Sequence, residues 1–251
     1  MRRATVAFVW MVVLVMAGCE ASPSAPSDGP PASTGQSPAW VEEFDTLSAE
    51  DWEIYDGEGH LGNGQRQPSQ VDVRDSVLTI TGTADGRTGG LKWRGRGQTY
   101  GQWDIRLRVP SGCVCYHPVV MLWGAGKTDA GTNSLGAIDV VHAWQAPGRD
   151  RNTFGLHPGN GAEPVRVDVA VDMTQWHVYH LVWQESYIYS WIDDDPAYVQ
   201  VTEVELLPEG PMDVAIQLDW FPQEGTTGGS TATLEVDYVK QFTEPVEYPS
   251  T

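Results

Sequence analysis

Apolar and charged residues alternate with a period of two along several separate stretches of this chain. Between positions 103 and 109 every odd position is apolar and every even position is charged. Between positions 165 and 171 every odd position is valine. A period of two places successive side chains on opposite faces, so each stretch predicts a β-strand with one buried face. Strands of this kind need a second layer to cover that face.

Further strand-like stretches occupy 77–81, 178–183, 187–192, 212–220 and 233–242. Helix signals are nearly absent, and glycine, proline and aspartate separate the stretches. The acidic run before Pro196 is typical of a solvated hairpin turn and not of a metal site. Many short alternating strands without an internal repeat predict one all-β domain, a sandwich or jelly roll.

The N-terminus has the features of a secretory signal. Arg2 and Arg3 precede an apolar run over 4–17, which is long enough for a signal peptide and short for a spanning helix. The run ends in Met-Ala-Gly-Cys at Cys19, which resembles a bacterial lipobox. We therefore predict a lipoprotein signal peptide over 1–19 with the lipid on Cys19. The alternative is an ordinary signal peptide in which Cys19 is incidental.

The composition changes after Cys19 and divides the rest of the chain. Residues 20–39 are rich in serine, proline, alanine and glycine and have too little apolar bulk to fold, which predicts a disordered linker. The predicted domain follows over 40–243, with a tail over 244–251. This arrangement would place a folded domain on a tether at the extracellular face of the bacterial membrane.

The net charge limits the class of partner. The chain has a formal charge of −19, and removal of the signal peptide would take away two more positive charges. This balance disfavours nucleic acid and anionic polymers and favours neutral or cationic partners. An acidic surface also keeps a secreted protein soluble without any partner.

Two cysteines remain in the predicted domain. Cys113 and Cys115 are too few for a zinc site, and no second pair lies nearby. On a strand their side chains would face the same way, so a disulfide in an oxidising compartment and two buried thiols are both open. We assign them no redox function.

The segment Gly136–His142 is the most informative for function. It reads as a buried strand, on which Ala137 and Asp139 share a face. One extra residue as a β-bulge would bring His142 onto that face too. The layout resembles the active-site strand of glycoside hydrolase family 16, the laminarinase and lichenase group, whose pattern is Glu-x-Asp-x-x-Glu. In that family the first Glu is the nucleophile, the Asp assists, and the second Glu is the acid/base.

The resemblance extends over nearly all of the predicted domain. Segments similar to the family's strands follow one another in the same order, at 62–66, 73–80, 100–110, 117–123, 154–157, 175–183, 217–222 and 236–239. It implies a concanavalin-like jelly-roll β-sandwich of two antiparallel sheets, with a saccharide cleft on the concave one.

The two glutamates of the family pattern are missing here. A retaining glycosidase needs two carboxyl groups about 5 Å apart. The matching positions hold Ala137 and His142, and only the assisting Asp139 is present. His142 has a suitable unperturbed pKa for acid/base work, but Asp139 would then have to serve as nucleophile. The sequence therefore assigns no catalytic residue.

The resemblance also indicates candidate residues for carbohydrate binding. Sugars offer apolar CH faces and hydroxyls, which aromatic platforms and polar side chains recognise. The matching positions are Asn63, Arg66, Trp123, Asp139, His142, Trp144, His157 and Trp220. For the three tryptophans both sugar stacking and core packing are open. No cofactor is expected, although some family members carry a structural calcium, for which Asp237 is the one candidate ligand.

Three functions follow as hypotheses. The first is a cell-surface lipoprotein that binds a β-linked polysaccharide, a β-glucan or galactan, without cutting it. The second is an active endo-β-glycosidase that uses Asp139 and His142, or a loop carboxylate such as Glu58 or Glu224. The third is an envelope adaptor, because sandwiches host unrelated functions; an exposed apolar patch would distinguish it.

Overall fold

A computed structural model describes residues 37–95, 97–125, 135–146, 148–195 and 197–244. The predicted signal peptide, the lipidation site Cys19, and most of the linker and tail lie outside the described residues. In the part of the chain that is described, no helix has the length and apolar character needed to cross a membrane.

Eighteen β-strands make up most of the described residues. They are β1 (Trp40–Glu42), β2 (Trp52–Ile54), β3 (Gly57–Glu58), β4 (Gln65–Arg66), β5 (Val71–Arg74), β6 (Val77–Gly82), β7 (Arg87–Thr88), β8 (Gly90–Trp93), β9 (Gly101–Arg108), β10 (Tyr116–Gly124), β11 (Gly136–His142), β12 (Arg151–Pro158), β13 (Val165–Ala170), β14 (His177–Trp183), β15 (Ile188–Ile192), β16 (Val199–Val201), β17 (Met212–Trp220) and β18 (Ala232–Phe242). Short 3-10 helices span His60–Gly62, Pro68–Gln70, Val204–Leu206 and Pro222–Glu224.

The strands form two large antiparallel sheets. One sheet has the order β16-β15-β14-β9-β18-β6-β5, with β1 also paired to β18. The other has the order β13-β12-β11-β10-β17-β8-β2. The predicted all-β sandwich of two antiparallel sheets is confirmed. A small third sheet of β3, β4 and β7, which the sequence did not predict, contains a parallel pair.

The hydrophobic core lies between the two large sheets. Each central strand contributes alternate residues, such as Ile105 and Leu107 from β9 and Val120 and Leu122 from β10, all fully buried. Trp103 and Trp183 are also fully buried there. A buried aromatic side chain removes about 150–250 Å² from water, which stabilises the fold by roughly 4–6 kcal/mol before entropy is counted.

Two tryptophans pack on polar side chains outside the core cluster. Trp191 is buried and stacks on the His180 ring, with 4.6 Å between the ring centroids. Trp176 is half-buried beneath the guanidinium groups of Arg106 and Arg108, which lie 5.0 and 4.9 Å from its ring centroid. A cation–π contact with two arginines thus takes the place of apolar packing at Trp176.

The two domain cysteines form a disulfide. Cys113 and Cys115 are bonded and buried, in the turn before β10 rather than on a strand. The Cys113 carbonyl accepts a hydrogen bond from Arg149, and the Cys115 carbonyl accepts one from the Phe221 amide. The bonded turn thus connects the start of β10 to the segment that follows β17.

Candidate functional site

The segment Gly136–His142, which resembles the active-site strand of family 16, forms β11 and contains a β-bulge. Its pairing with β10 shifts by one residue: Val120 faces Val141, whereas Met121 faces Asp139. The additional residue is Val140, and both Val140 and Val141 are buried in the core. The bulge therefore turns His142, the residue after Val141, back to the face that Asp139 occupies.

A buried amide supports the backbone at this bulge. The Asn152 carboxamide oxygen accepts the His142 amide at 3.0 Å, and its nitrogen donates to the Val140 carbonyl at 3.1 Å. The Tyr198 hydroxyl, 3.0 Å away, fixes the same carboxamide. Asn152 thus satisfies the strand groups that the interrupted ladder leaves unpaired.

The residues that point away from the core on the seven-stranded sheet form what we call the polar face. Cross-strand pairs share a face, so the register places one row of Ala215, Met121, Asp139, Gly155 and Arg166 across five strands. Neighbouring rows add His117 with Asp219, Gln217 with Val119 and His142, and Trp123 with Ala137 and His157.

Asp139 is the one carboxylate that β11 places on the polar face, and two imidazoles share it. His157 Nε2 lies 3.1 Å and His142 Nδ1 lies 3.5 Å from the same oxygen, Oδ2. Burial alone would raise the pKa of Asp139, but the hydrogen bonds from His142 and His157 outweigh it and lower the pKa. The Asp139 hydrogen bond raises the pKa of His157 in turn. Asp139 is therefore ionised and already bonded.

A second carboxylate reaches this group from another part of the chain. Glu224 Oε2 lies 2.9 Å from His117 Nε2, and His117 Nδ1 lies 3.4 Å from His142 Nε2. Burial, followed by the neighbouring His142, lowers the pKa of His117 to about 3, so this ring is neutral at physiological pH. Burial raises the pKa of Glu224. Two imidazole rings thus stand between Glu224 and Asp139.

Arg66 lies at the other end of the polar face. Its guanidinium donates to Asp219 at 2.6 Å and to Gln217 at 3.0 Å, and it lies over the Tyr55 ring at 5.0 Å. The side chain of His60 approaches Asp219 at 3.9 Å. Asn63 ends the 3-10 helix that begins with His60, which places its backbone at this edge.

The three candidate tryptophans have different surroundings. Trp123 is half-buried and packs with Val119 and Met121 on the polar face. Trp144 follows β11. Its ring centroid lies 6.3 Å from that of the His142 ring and 4.9 Å from the guanidinium carbon of Arg166.

Trp220 occupies the opposite side of the sheet. It alternates with Asp219, packs against the core, and lies so close to Gly86 that a Cβ there would come within 2.5 Å of the indole. Of the two alternatives left open for Trp220, sugar stacking and core packing, its placement favours core packing. The alternation Gln217-Leu218-Asp219 makes Trp220 a core-side position.

On the polar face β11 contributes one carboxylate, that of Asp139. Ala137 carries no reactive group and is only 3% exposed. His142 lies at the position that the sequence resemblance matches to the acid/base. The arrangement offers imidazoles, a carboxylate and amides that can exchange hydrogen bonds with sugar hydroxyls, next to the apolar surface of Trp123.

The remaining candidates lie outside this arrangement. Glu58 pairs with Gln65 in the small sheet and is exposed. The Asp237 carboxylate forms a short ion pair with Arg106. Among the described residues no group of three or more histidines, cysteines or carboxylates is arranged to hold a metal ion.

Sequence reasoning did not select three residues of this site: His117, Asn152 and Arg166. His117 begins a stretch that resembles a family strand, and its parity with Val119 on that strand would have indicated the polar face. Arg166 could have been found in the same way. Asn152 depends on a contact between strands that no local pattern reveals. Glu224 was named as a possible loop carboxylate, but its contact with His117 could not be predicted.

No family model matches the chain, and no curated protein sequence matches it. Solved structures do resemble it. The catalytic domain of an endo-1,3-β-glucanase (laminarinase) from Thermotoga petrophila superposes with a TM-score of 0.72 at 18% identity, covering 82% of this chain and 96% of that domain.

Two further structures agree. An endo-β-1,3-glucanase from Pyrococcus furiosus gives a TM-score of 0.70 at 18% identity, covering 81% of this chain and 93% of the other. A glycoside hydrolase family 16 endo-glucanase from Bacteroides ovatus gives 0.67 at 15% identity, covering 81% and 99%. The resemblance to family 16 predicted from the sequence motifs is thereby confirmed for the fold: this chain has the jelly-roll sandwich of the family 16 glucanases.

Proposed function

We propose that this protein binds a β-linked polysaccharide, a β-glucan or a galactan, on its polar face and does not hydrolyse it. One observation supports the proposal above the others: in the sequence of β11, Ala137, Asp139 and His142 match the Glu, Asp and Glu of the pattern that this strand resembles. The remaining carboxylate is hydrogen-bonded by two imidazoles. A group in that state orients a ligand better than it attacks one.

Several contacts support binding. The half-buried Trp123 packs on the buried Val119 and Met121 and offers an apolar ring beside Asp139 and Gln217, whose polar groups can orient sugar hydroxyls. Arg66 fixes Gln217 through a 3.0 Å hydrogen bond. A rigid apolar platform with a few fixed polar groups is the usual composition of a saccharide site.

We further propose that a lipid on Cys19 holds the domain at the extracellular face of the bacterial membrane, with the Ser/Pro-rich segment as a tether. The lipobox-like residues before Cys19 support this. A single acyl chain gives only marginal membrane binding, so stable anchoring needs the two or more chains of a full lipid modification. Metabolic labelling with a fatty-acid analogue, lost on Cys19→Ser, would test it.

Binding is tested by affinity electrophoresis on gels that contain laminarin, mixed-linkage glucan or galactan, together with a reducing-end assay. We expect retardation on at least one gel without reducing-end release. Trp123→Ala should abolish retardation, whereas the matched variant Trp176→Ala, just before β14 and against Arg106 and Arg108 of the other sheet, should not. Thermal melts check that both variants fold. If the wild type is retarded on none of these gels, the proposal is wrong.

Hydrolysis is the second candidate, and one observation favours it: Glu224 reaches His117 at 2.9 Å, and burial raises its pKa as a general acid requires. Asp139 would be its partner. Reducing-end release that is lost in both Glu224→Gln and Asp139→Asn would establish it and replace the binding proposal.

The adaptor hypothesis has no such support. It predicts an exposed apolar patch, and across the described ranges the large apolar side chains that are exposed are Leu61 and Val204. Two side chains are too few to form an interface patch of several hundred Å².

A further inference from the structure

Basic groups gather at one end of the polar face. Arg166 lies in the row of Asp139, with Gly155 between them, and its guanidinium is 4.9 Å from the Trp144 ring. The His142 ring stacks near the same indole at 6.3 Å. Because Gly155 has no side chain, the space between Asp139 and Arg166 has no intervening group on the middle strand.

The two nearby carboxylates, of Asp139 and Asp168, do not neutralise the charge of Arg166, because both are engaged by other side chains. Asp139 is already shared by His142 and His157. Asp168, two positions beyond Arg166 on the same strand, is engaged by Thr153 at 2.7 Å and by Arg151 at 3.5 Å.

Arg166 itself has no ion pair within the ranges that the structure describes, and it is exposed. It lies near enough to His157 to act on the charge of that ring, because its guanidinium lowers the pKa of His157 against the rise that Asp139 causes. His157 keeps 38% of its side chain exposed. Two basic groups therefore border the same open part of the polar face.

The substitutions in β11 act in the same direction. A strand with the pattern Glu-x-Asp-x-x-Glu would place two further carboxylates beside this end of the face. Ala137 and His142 remove both and add an imidazole. An anionic substituent on a sugar would be repelled by the family pattern but not by this strand.

Resting on the proposed function, we infer that the Arg166, His157 and His142 end of the polar face receives a sugar unit that carries an anionic group, a carboxylate or a sulfate ester. Arg166 would bind this group through paired N–H donors, and His157 would donate a further hydrogen bond. The anionic group would neutralise the two neighbouring basic side chains. The ligand class is thus an acidic β-linked polysaccharide.

The net charge of −19 does not exclude this ligand. At physiological ionic strength charges are screened beyond about 8 Å, so groups in contact decide local binding while the distant acidic surface slows association. The acidic surface therefore disfavours anionic polymers that bind through charge alone. It does not exclude a polysaccharide whose sugar units also contact the polar face.

The test uses probes that differ only in charge: laminarin, laminarin oxidised at C6 to the uronate, and sulfated laminarin. Isothermal titration with the purified mature chain should give at least about tenfold tighter binding per site to one charged probe than to laminarin, as expected for charge-assisted hydrogen bonds. The arm that shows this preference identifies the carboxylate or the sulfate. Arg166→Gln should reduce the ratio to about one, whereas Arg74→Gln, an exposed surface arginine, should leave it unchanged.

The outcomes separate the two proposals. If laminarin binds and neither charged probe binds more tightly, the inference is wrong and the proposed function stands. The same holds if the preference persists in a folded Arg166→Gln. If none of the three probes binds, the inference is wrong, and the gels with mixed-linkage glucan and galactan decide the proposed function.

Discussion

His157, on β12, has its Nε2 atom 3.1 Å from Oδ2 of Asp139 on the neighbouring strand β11. The same oxygen faces His142 at 3.5 Å. A carboxylate in this position would assist a neighbouring nucleophile in a retaining glycosidase, but here its lone pairs are directed to two imidazoles. The pair therefore links β11 and β12 through their side chains.

We expect Asp139→Asn to destabilise the protein by about 1–3 kcal/mol at neutral pH, because the carboxamide cannot accept from both imidazoles with equal strength and leaves a buried group unsatisfied. Chemical denaturation measures this. Asp168→Asn, on an exposed side chain, is the control and should change stability by less than about 0.5 kcal/mol. Equal effects of the two variants would contradict the buried role of Asp139.

The stability that His157 contributes should depend on pH. The Asp139 hydrogen bond raises the pKa of His157 in the folded state above its unfolded value. Protonation therefore favours the folded state: the contribution is complete below the unfolded pKa of about 6.5 and is lost as the pH rises through the folded pKa. The difference in Tm between wild type and His157→Gln should be larger at pH 5 than at pH 9. A difference that grows with pH would show that the sign is wrong.

Gly155 should not tolerate a side chain. A Cβ at this position would lie 2.9 Å from Asp139 Oδ2 and 3.2 Å from Asp139 Cβ. We expect Gly155→Ala to cost roughly 1–3 kcal/mol, because either the carboxylate or the strand must move. Gly148→Ala is the matched control, since its nearest neighbour would be 3.5 Å away. Urea unfolding of both variants decides the matter, and a neutral Gly155→Ala would count against the close packing.

Restoring both carboxyl groups should restore weak hydrolysis. In Ala137→Glu with His142→Glu, the bulge at Val140 would present both glutamates on the polar face, where a pair about 5 Å apart can act as nucleophile and acid/base. We expect reducing-end release from laminarin at least about tenfold above the wild-type level. The double glutamine variant controls for the change in volume. A double glutamate that binds laminarin but never cuts it would show that other parts of the site have diverged.

The sequence predicted the strand faces better than it predicted the contacts. Period-two patterns predicted the inner faces of β9 and β13, and a bulge in β11 was the condition that would bring His142 onto the face of Asp139. These features are local, because alternation depends only on neighbouring residues. For Trp220 the sequence left sugar stacking and core packing both open, although its parity with Leu218 indicates the core side.

The contacts that complete the site were beyond local reasoning. Glu224 is 107 positions from its partner His117. The two meet because β17 pairs with β10 and because the Phe221 ring stacks on His117 at 4.2 Å. Asn152 likewise accepts a hydrogen bond from the His142 amide at the bulge. That amide lacks a strand partner because the pairing of β11 with β12 ends at Asp139, which the sequence alone does not reveal.

The bulge at Val140 decides which face of the sheet His142 occupies. Val140 and Val141 both lie in the core, so Asp139 and His142 share the polar face although they are three positions apart. If β11 paired regularly through all of these residues, alternation would turn the His142 imidazole toward the hydrophobic interior and Val141 toward the polar face. Deletion of Val140 would instead straighten the strand and leave both polar side chains on the same face, closer together along the strand.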